Sequence, residues 1–407
     1  MKNRYDVILF ILAASTCFGN LGGALQVDRL LAILFSPILL YTIQKVGYGY
    51  AISIMKVLGM IFLYMCLSFV WTPDREEAFK ELFYYPVHFV LLLEIIVFSR
   101  LAHKPLKSIS RGWLCAVILS SIVAYWEITT GNHLSIAKEV SETHNMGGGD
   151  ILQHMTASVT FNNYNSYVTF LCFSFPWLFY IILDSERGIV EKTLSIAALI
   201  VLSIIIIINA SRGGLLAILV MLSCYVLMSR KSRMKTMLLF SIILVTVYLL
   251  LSYGEAITAV MASRASGGGL FEDEARSVIW LNALKTFADT WGFGVGIGGI
   301  HEGMAKFAQG GITVTHNMIL EILVQYGIVI TIVVILFLWR MFKRTFKITD
   351  KTRKVVLVMT FFAMPAYLII DSGYLLNVHF YVFIATIFVF TYYERIKLTN
   401  QILRPSA

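Results

Sequence analysis

Charge is what this 407-residue chain has least of: Asp, Glu, Lys and Arg make up 14% of it, against 58% hydrophobic residues. Soluble globular domains carry about 25% charged residues, so a soluble fold is excluded and an integral membrane protein is implied. The alternating pattern of a membrane β-barrel is missing too, which leaves a bundle of α-helices. Cysteine is scarce, and Cys17, Cys66, Cys115, Cys172 and Cys224 all fall in apolar runs. Neither a disulfide framework nor a thiolate zinc site is therefore expected. No HExxH or comparable ligand spacing links the eight histidines, so no metal is expected.

Apolar runs near the roughly 20 residues needed to cross a bilayer recur along the chain. Twelve spans are expected, at about 6–21, 28–44, 51–71, 79–98, 113–129, 164–183, 193–209, 214–229, 236–253, 317–339, 355–373 and 378–393. Lys2 and Arg4 precede the first run without a small-residue cleavage site, which reads as an uncleaved first helix.

The net charge of +9 invites a nucleic-acid partner, but its distribution argues against one. Basic residues gather in alternate short loops, among them Lys104, Lys107, Arg111, Arg187, Arg230, Lys231, Arg340 and Lys343. Those loops and both termini are expected to be cytoplasmic. The opposite loops hold Asp74, Glu76, Glu77, Glu81, Glu139, Glu142, Glu255 and Glu272 to Glu274, and two of them are long, at 130–163 and 254–316. The expected organisation is an N-terminal bundle over 1–253, an extracytoplasmic catalytic loop over 254–316, and C-terminal helices with a short cytoplasmic tail over 317–407. Within the second loop, Ile279, Trp280, Ala283, Leu284 and Phe287 space an amphipathic helix over 272–288, suited to the outer membrane surface. In the first loop Gly147 to Gly149 suggest a mobile turn.

Three side chains carry the candidate chemistry. Arg212, in the Ser-Arg-Gly-Gly turn 211–214, is almost surrounded by apolar sequence. It reads either as a snorkelling or paired interfacial arginine, or as a fork for a lipid-linked phosphate beside the amides of Gly213 and Gly214. Arg276 lies on the loop helix one turn before Trp280, as a solvated partner of Glu272 or Glu274 or as a second phosphate ligand. His316 opens the tenth span, as an interfacial structural residue or as a base for a hydroxyl proton. Asn317 and Glu321 share a helix face beyond it. The glycine run WGFGVGIGG at 291–299 lacks the βαβ setting of a dinucleotide site, and its glycines admit close approach to a ligand or to helices. Lys56, Glu94 and Glu127, in or near spans, are further suspects.

SRGG at 211–214, EARSVIWLNAL at 274–284, GFGVGIG at 292–298 and THNMILEILVQYG at 315–327, in that order, resemble the O-antigen ligase and polymerase superfamily. FNNYN at 161–165 is similar to a motif these proteins have before a middle span. The resemblance implies an all-α GT-C type glycosyltransferase of the bacterial cytoplasmic membrane, working on its outer face without metal, cofactor or nucleotide sugar. Its donor would be an undecaprenyl diphosphate-linked glycan, and its acceptor a lipid A core or a second lipid-linked repeat. Arg212 and Arg276 would bind the carrier diphosphate and stabilise its departure, with His316 as base. Ser211, Asn317 and Glu321 would line the substrate site.

The superfamily label favours a ligase, with polymerisation as the alternative. A lipid-linked glycan transporter would instead place ionisable groups near the midplane in corresponding halves, and no internal repeat is visible. A non-catalytic scaffold of a polysaccharide export complex would tolerate alanine at Arg212, Arg276 and His316.

Overall fold

The structure is a computed structural model that describes residues 3–46, 51–136, 156–161, 163–209, 211–228, 271–308 and 311–403. Thirteen α-helices are present among them. These are α1 (Arg4–Ala14), α2 (Val27–Val46), α3 (Ile52–Ser68), α4 (Arg75–Phe98), α5 (Pro105–Thr130), α6 (Tyr164–Leu183) and α7 (Ile189–Ile208). After them come α8 (Arg212–Met228), α9 (Phe271–Asp289), α10 (Ile300–Ala308), α11 (Met318–Thr345), α12 (Lys351–Tyr367) and α13 (Val378–Leu403). Eleven of the expected spans fall on helices. The one at 236–253, like Gly147 to Gly149, lies outside the described residues. Among the described residues six helices, α2, α4, α5, α6, α7 and α11, are long and apolar enough to cross a membrane.

Local chemistry starts these helices. Asn3, Asp74, Asn163, Asn317 and Asp350 each accept a backbone N–H from the first turn of α1, α4, α6, α11 and α12. Each such cap satisfies a donor that the helix itself cannot. Asn163 thereby gives the FNNYN motif a structural role.

The bundle is organised around α6, whose side chains are buried nearly all round. A helix apolar on every face belongs in the middle, and α5, α7, α8, α12 and α13 pack on it. The α1–α5 contact depends on Gly112, where a Cβ would lie 2.5 Å from that of Ala13.

A cluster of arginine–carboxylate pairs marks one end of the bundle. Arg187 meets Asp184 at 2.9 Å and Glu191 at 3.0 Å, Arg111 also pairs with Glu191, and Arg353 pairs with Glu394. Helices α7 and α12 begin at that end and α11 finishes there. The Arg212 turn and His316 are consequently at the other end.

Two clamps hold the segment 156–161. Glu127 accepts the N–H groups of Ser158 and Val159, both at 2.8 Å, and Asn209 bonds both the N–H and the C=O of Ala157. Glu127, a functional suspect by sequence, thus organises backbone. Lys56 is exposed on α3, and both carboxyl oxygens of Glu94 are buried without a hydrogen-bond partner.

Candidate active site

The glycine run at 291–299 is resolved in favour of packing. A Cβ on Gly294 would come within 2.6 Å of the Gly327 nitrogen, one on Gly296 within 2.7 Å of the Ser68 carbonyl, and one on Gly298 into the backbone of Ala78. Each of these glycines has positive φ, so the sequence supplies the one residue that meets both demands.

Helix α11 breaks where the run touches it, with Gly327 at φ 72° and ψ −176°. The N–H groups of Val295 and Gly296 take the carbonyls of Val324 and Gln325 at 2.8 and 2.9 Å, and Ile328 donates to Gly292 at 3.0 Å. The irregular run therefore satisfies backbone groups that a broken membrane helix would leave exposed. Ile297 donates to the Ser68 hydroxyl and Gly298 to the buried Glu81 carboxylate at 2.9 Å, which also accepts from Gln325 at 2.8 Å. Nothing in the sequence separates Glu81 from Glu76 and Glu77, which pair with Lys80 near the surface.

Helix α9 leads into this run, and it packs on protein more than the sequence suggested. Ile279 and Ala283 are buried with Val295, Met304 and Val324. Leu284, one of the expected apolar stripe, is exposed together with Val278 and Leu281. Apolar side chains therefore face both ways, one set closing on α10 and α11 and the other turned outward.

One turn before Ala283, Trp280 donates its indole N–H to the carbonyl of Thr315 at 3.0 Å. That bond ties the Arg276 helix to the residue preceding His316. His316 itself holds φ at 45°, a left-handed conformation uncommon for a non-glycine residue. It is pinned from the far side as well, since Met318 donates to the Leu368 carbonyl at 3.0 Å. Its Nδ1 is buried and has no hydrogen-bond partner. Burial, and then the positive charge of Arg276, lowers its pKa to about 4. The imidazole is accordingly neutral near pH 7 and has lone-pair capacity to accept a proton.

The remaining candidates divide. Asn317 caps α11, its Oδ1 accepting from Ile319 and Leu320 at 3.0 and 3.2 Å. Glu321 points away from solvent and accepts three N–H groups, from Gly373, Tyr374 and Leu375, at 3.0 to 3.2 Å. It thereby anchors the α12–α13 turn beside the histidine. Ser211 is buried and accepts the Gly214 N–H at 3.3 Å, so that amide is already used within the turn.

Arg212 is exposed at the start of α8. Its neighbour Gly213 packs on the end of α12, where a Cβ would lie 2.8 Å from Ile370. The Arg212 turn and the His316 turn thus flank the same segment, residues 366–371. The structure joins Arg276 to His316 electrostatically and places Arg212 at the same end of the bundle.

Three further histidines have other settings. His301 faces Thr313 on the surface at 3.0 Å, and His379 sits among Phe161, Phe170 and Phe173. His88 accepts from the Arg29 Nε at 3.1 Å, a buried pair with no sequence signal because 59 residues separate its members. No cluster of metal-ligating side chains occurs among the described residues.

Comparison with known proteins bears on this same region. The family model described as O-antigen ligase matches residues 197–335, which contain Arg212, Arg276 and His316. The chain is also 24% identical over 281 residues to the teichuronic acid biosynthesis protein TuaE of Bacillus subtilis (strain 168). That alignment covers 66% of this chain and spans about half, 56%, of the relative's length. The family match falls on the region whose motifs resemble the O-antigen ligase superfamily, and it covers residues 197–335 of the 407.

Proposed function

We propose that this protein is a membrane glycosyltransferase of polysaccharide biosynthesis. It would move a glycan from a polyprenyl diphosphate carrier to an acceptor hydroxyl at the outer face of the cytoplasmic membrane. The observation that carries this reading is a half-buried, neutral imidazole whose buried Nδ1 is unspent, held in strained backbone near the Arg276 guanidinium.

Each part has a task in that reaction. Breaking the sugar–diphosphate bond leaves negative charge on phosphate oxygens, which Arg276 and Arg212 stabilise more as the bond lengthens. His316 takes the acceptor's proton as its oxygen attacks the anomeric carbon, with inversion if the displacement is direct. Burial, reinforced by the positive charge of Arg276, keeps the histidine unprotonated while the site is empty. A bound diphosphate offsets that positive charge and strengthens the base only when donor is present.

The ligase reading, with a lipid A core or similar acceptor, follows the family description. Polymerisation of carrier-linked repeats is the second reading, and the similarity to a protein of teichuronic acid biosynthesis fits a polysaccharide product under either one.

The test is the carbohydrate profile of a deletion strain complemented with wild type or with His316→Ala. Long carrier-linked chains accumulating unattached would identify a ligase, and single repeat units a polymerase. A wild-type profile from His316→Ala would remove the histidine from the mechanism.

A further inference from the structure

The end of the bundle opposite His316 treats its cations in two ways. On α5, α7 and α12, Arg111, Arg187 and Arg353 each meet a carboxylate. At the close of α11, Arg340, Lys343, Arg344 and Lys347 meet none among the described residues, and Asp350 and Glu394, on the helices that follow, are engaged by Arg353. The C-terminal dipole of α11, about half an elementary charge, is too small to balance four cations.

These cations converge on the seam between α11 and α13. Arg340 and Arg344 lie one turn apart on the same face of α11. The half-buried Arg344 places its guanidinium 4.6 Å from the centre of the Tyr392 ring on α13, and Arg340 and Arg395 both add positive charge beside it. Lys343 stands 5.1 Å from the centre of the Trp339 ring. Aromatic rings therefore lie under two of the cations, where a cation is held without being neutralised.

The surface leading to the charges is apolar and uncovered. Ile332, Ile335, Leu336 and Trp339 are all exposed on the last turns of α11 before Arg340. Their spacing of three and four residues keeps them on one face of the helix. An occupant that fits both parts carries negative charge at one end and hydrocarbon at the other. An acidic protein segment would answer the cations and leave the apolar row bare, and a zwitterionic phospholipid would bring a positive charge of its own to the arginines.

We propose that the α11–α13 seam binds an anionic phospholipid of the leaflet at that end, its phosphate held by Arg340 and Arg344 and an acyl chain lying along Ile332, Ile335 and Trp339. The distribution of basic loops makes this the leaflet expected to face the cytoplasm, where juxtamembrane cations meet anionic headgroups. The site is remote from His316 and stands whether or not the glycosyltransferase reading does.

Native mass spectrometry of the purified full chain, titrated with phosphatidylglycerol and separately with phosphatidylcholine, reads the site directly. Wild type should bind phosphatidylglycerol more tightly, and Arg340→Gln combined with Arg344→Gln should weaken that binding about thirtyfold. Lys351→Gln combined with Lys354→Gln removes the same charge from α12 at the same end, and it should change the affinity by about twofold at most. An equal loss in the two double variants overturns the assignment. Equal affinity of wild type for the two lipids also overturns it and leaves the patch to an acidic protein.

Quenching of indole fluorescence by lipid brominated on its acyl chains gives a second readout, with the difference between wild type and Trp339→Phe isolating that ring. Brominated phosphatidylglycerol should quench Trp339 more than brominated phosphatidylcholine does, and the arginine double variant should lose the preference. A Trp339 signal that neither lipid quenches, or that both quench alike, overturns the proposal. Transfer activity enters neither measurement, so the fate of this site and that of the proposed reaction are read separately.

Discussion

Two stretches of unusual backbone meet at the same end of the bundle, and they are completed differently. In the run from Gly292 to Gly299 every N–H has an acceptor, supplied by Phe287, Thr290, Val324, Gln325, Ser68, Glu81 or the run itself. From Gly292 onward its positive φ angles fall on glycine, and Trp291, the bulky residue at positive φ just before it, carries an exposed side chain. At His316 the positive φ falls on a bulky residue, and the buried ring nitrogen is left without a partner. Strain together with an unspent polar atom is a cost that folding alone does not require, and it marks a place reserved for a ligand. Glycine abundance marks close packing.

The widest separation between the two stretches should come from His316→Asn. Asparagine tolerates the left-handed backbone but cannot serve as base, so transfer should fall about 10²- to 10⁴-fold while the protein accumulates normally. Measuring single-turnover transfer alongside detergent-solubilised yield checks both halves. Normal transfer would erase the contrast drawn here.

Next in size is Gly298→Ala. The new Cβ runs into the Ala78 backbone at a position with φ 68°. Overpacking and the left-handed penalty together should cost about 3 kcal/mol. Thermal unfolding in detergent should show a lowered midpoint and reduced yield, with near-normal activity in whatever folds.

Glu321→Gln falls between the two classes. It keeps the shape but weakens three accepted hydrogen bonds, at about 1–3 kcal/mol where a buried donor is left unpaired. The midpoint should drop by a few degrees, and transfer per folded molecule should fall by less than for His316→Asn. A fall as large as that of His316→Asn would move Glu321 from anchor to participant.

The smallest effect is on pH dependence. With its pKa lowered to about 4, His316 should leave kcat/KM flat through the neutral range, with an acidic limb near that value. Arg276→Gln removes a positive neighbour and so favours the imidazolium. The limb should move to higher pH, on top of the lower rate, and a limb that stays in place would separate the two residues.

Much of this architecture was legible in the sequence because membrane insertion reads local properties. Span length and apolar content are matters of residues within a bilayer thickness of one another. The amphipathic reading of α9 fared less well, since Ile279 and Ala283 find Val324 and Met304 while Leu284 turns outward. Periodicity measures how apolar a face is, not what covers it.

The sequence by itself determined an all-helical membrane chain, eleven of whose expected spans fall on helices, and a short set of polar residues unusual enough to suspect. Only the tertiary structure decided their employment. Glu127 reaches across 31 residues to Ser158, Glu321 across 52 to Gly373, and Glu81 across 217 to Gly298, each to hold backbone. A buried carboxylate is stabilised by whichever donors the fold brings to it, and no local pattern encodes donors so distant. His316 differs from them because the fold leaves its ring half-buried near a cation and brings its buried Nδ1 no hydrogen-bond partner.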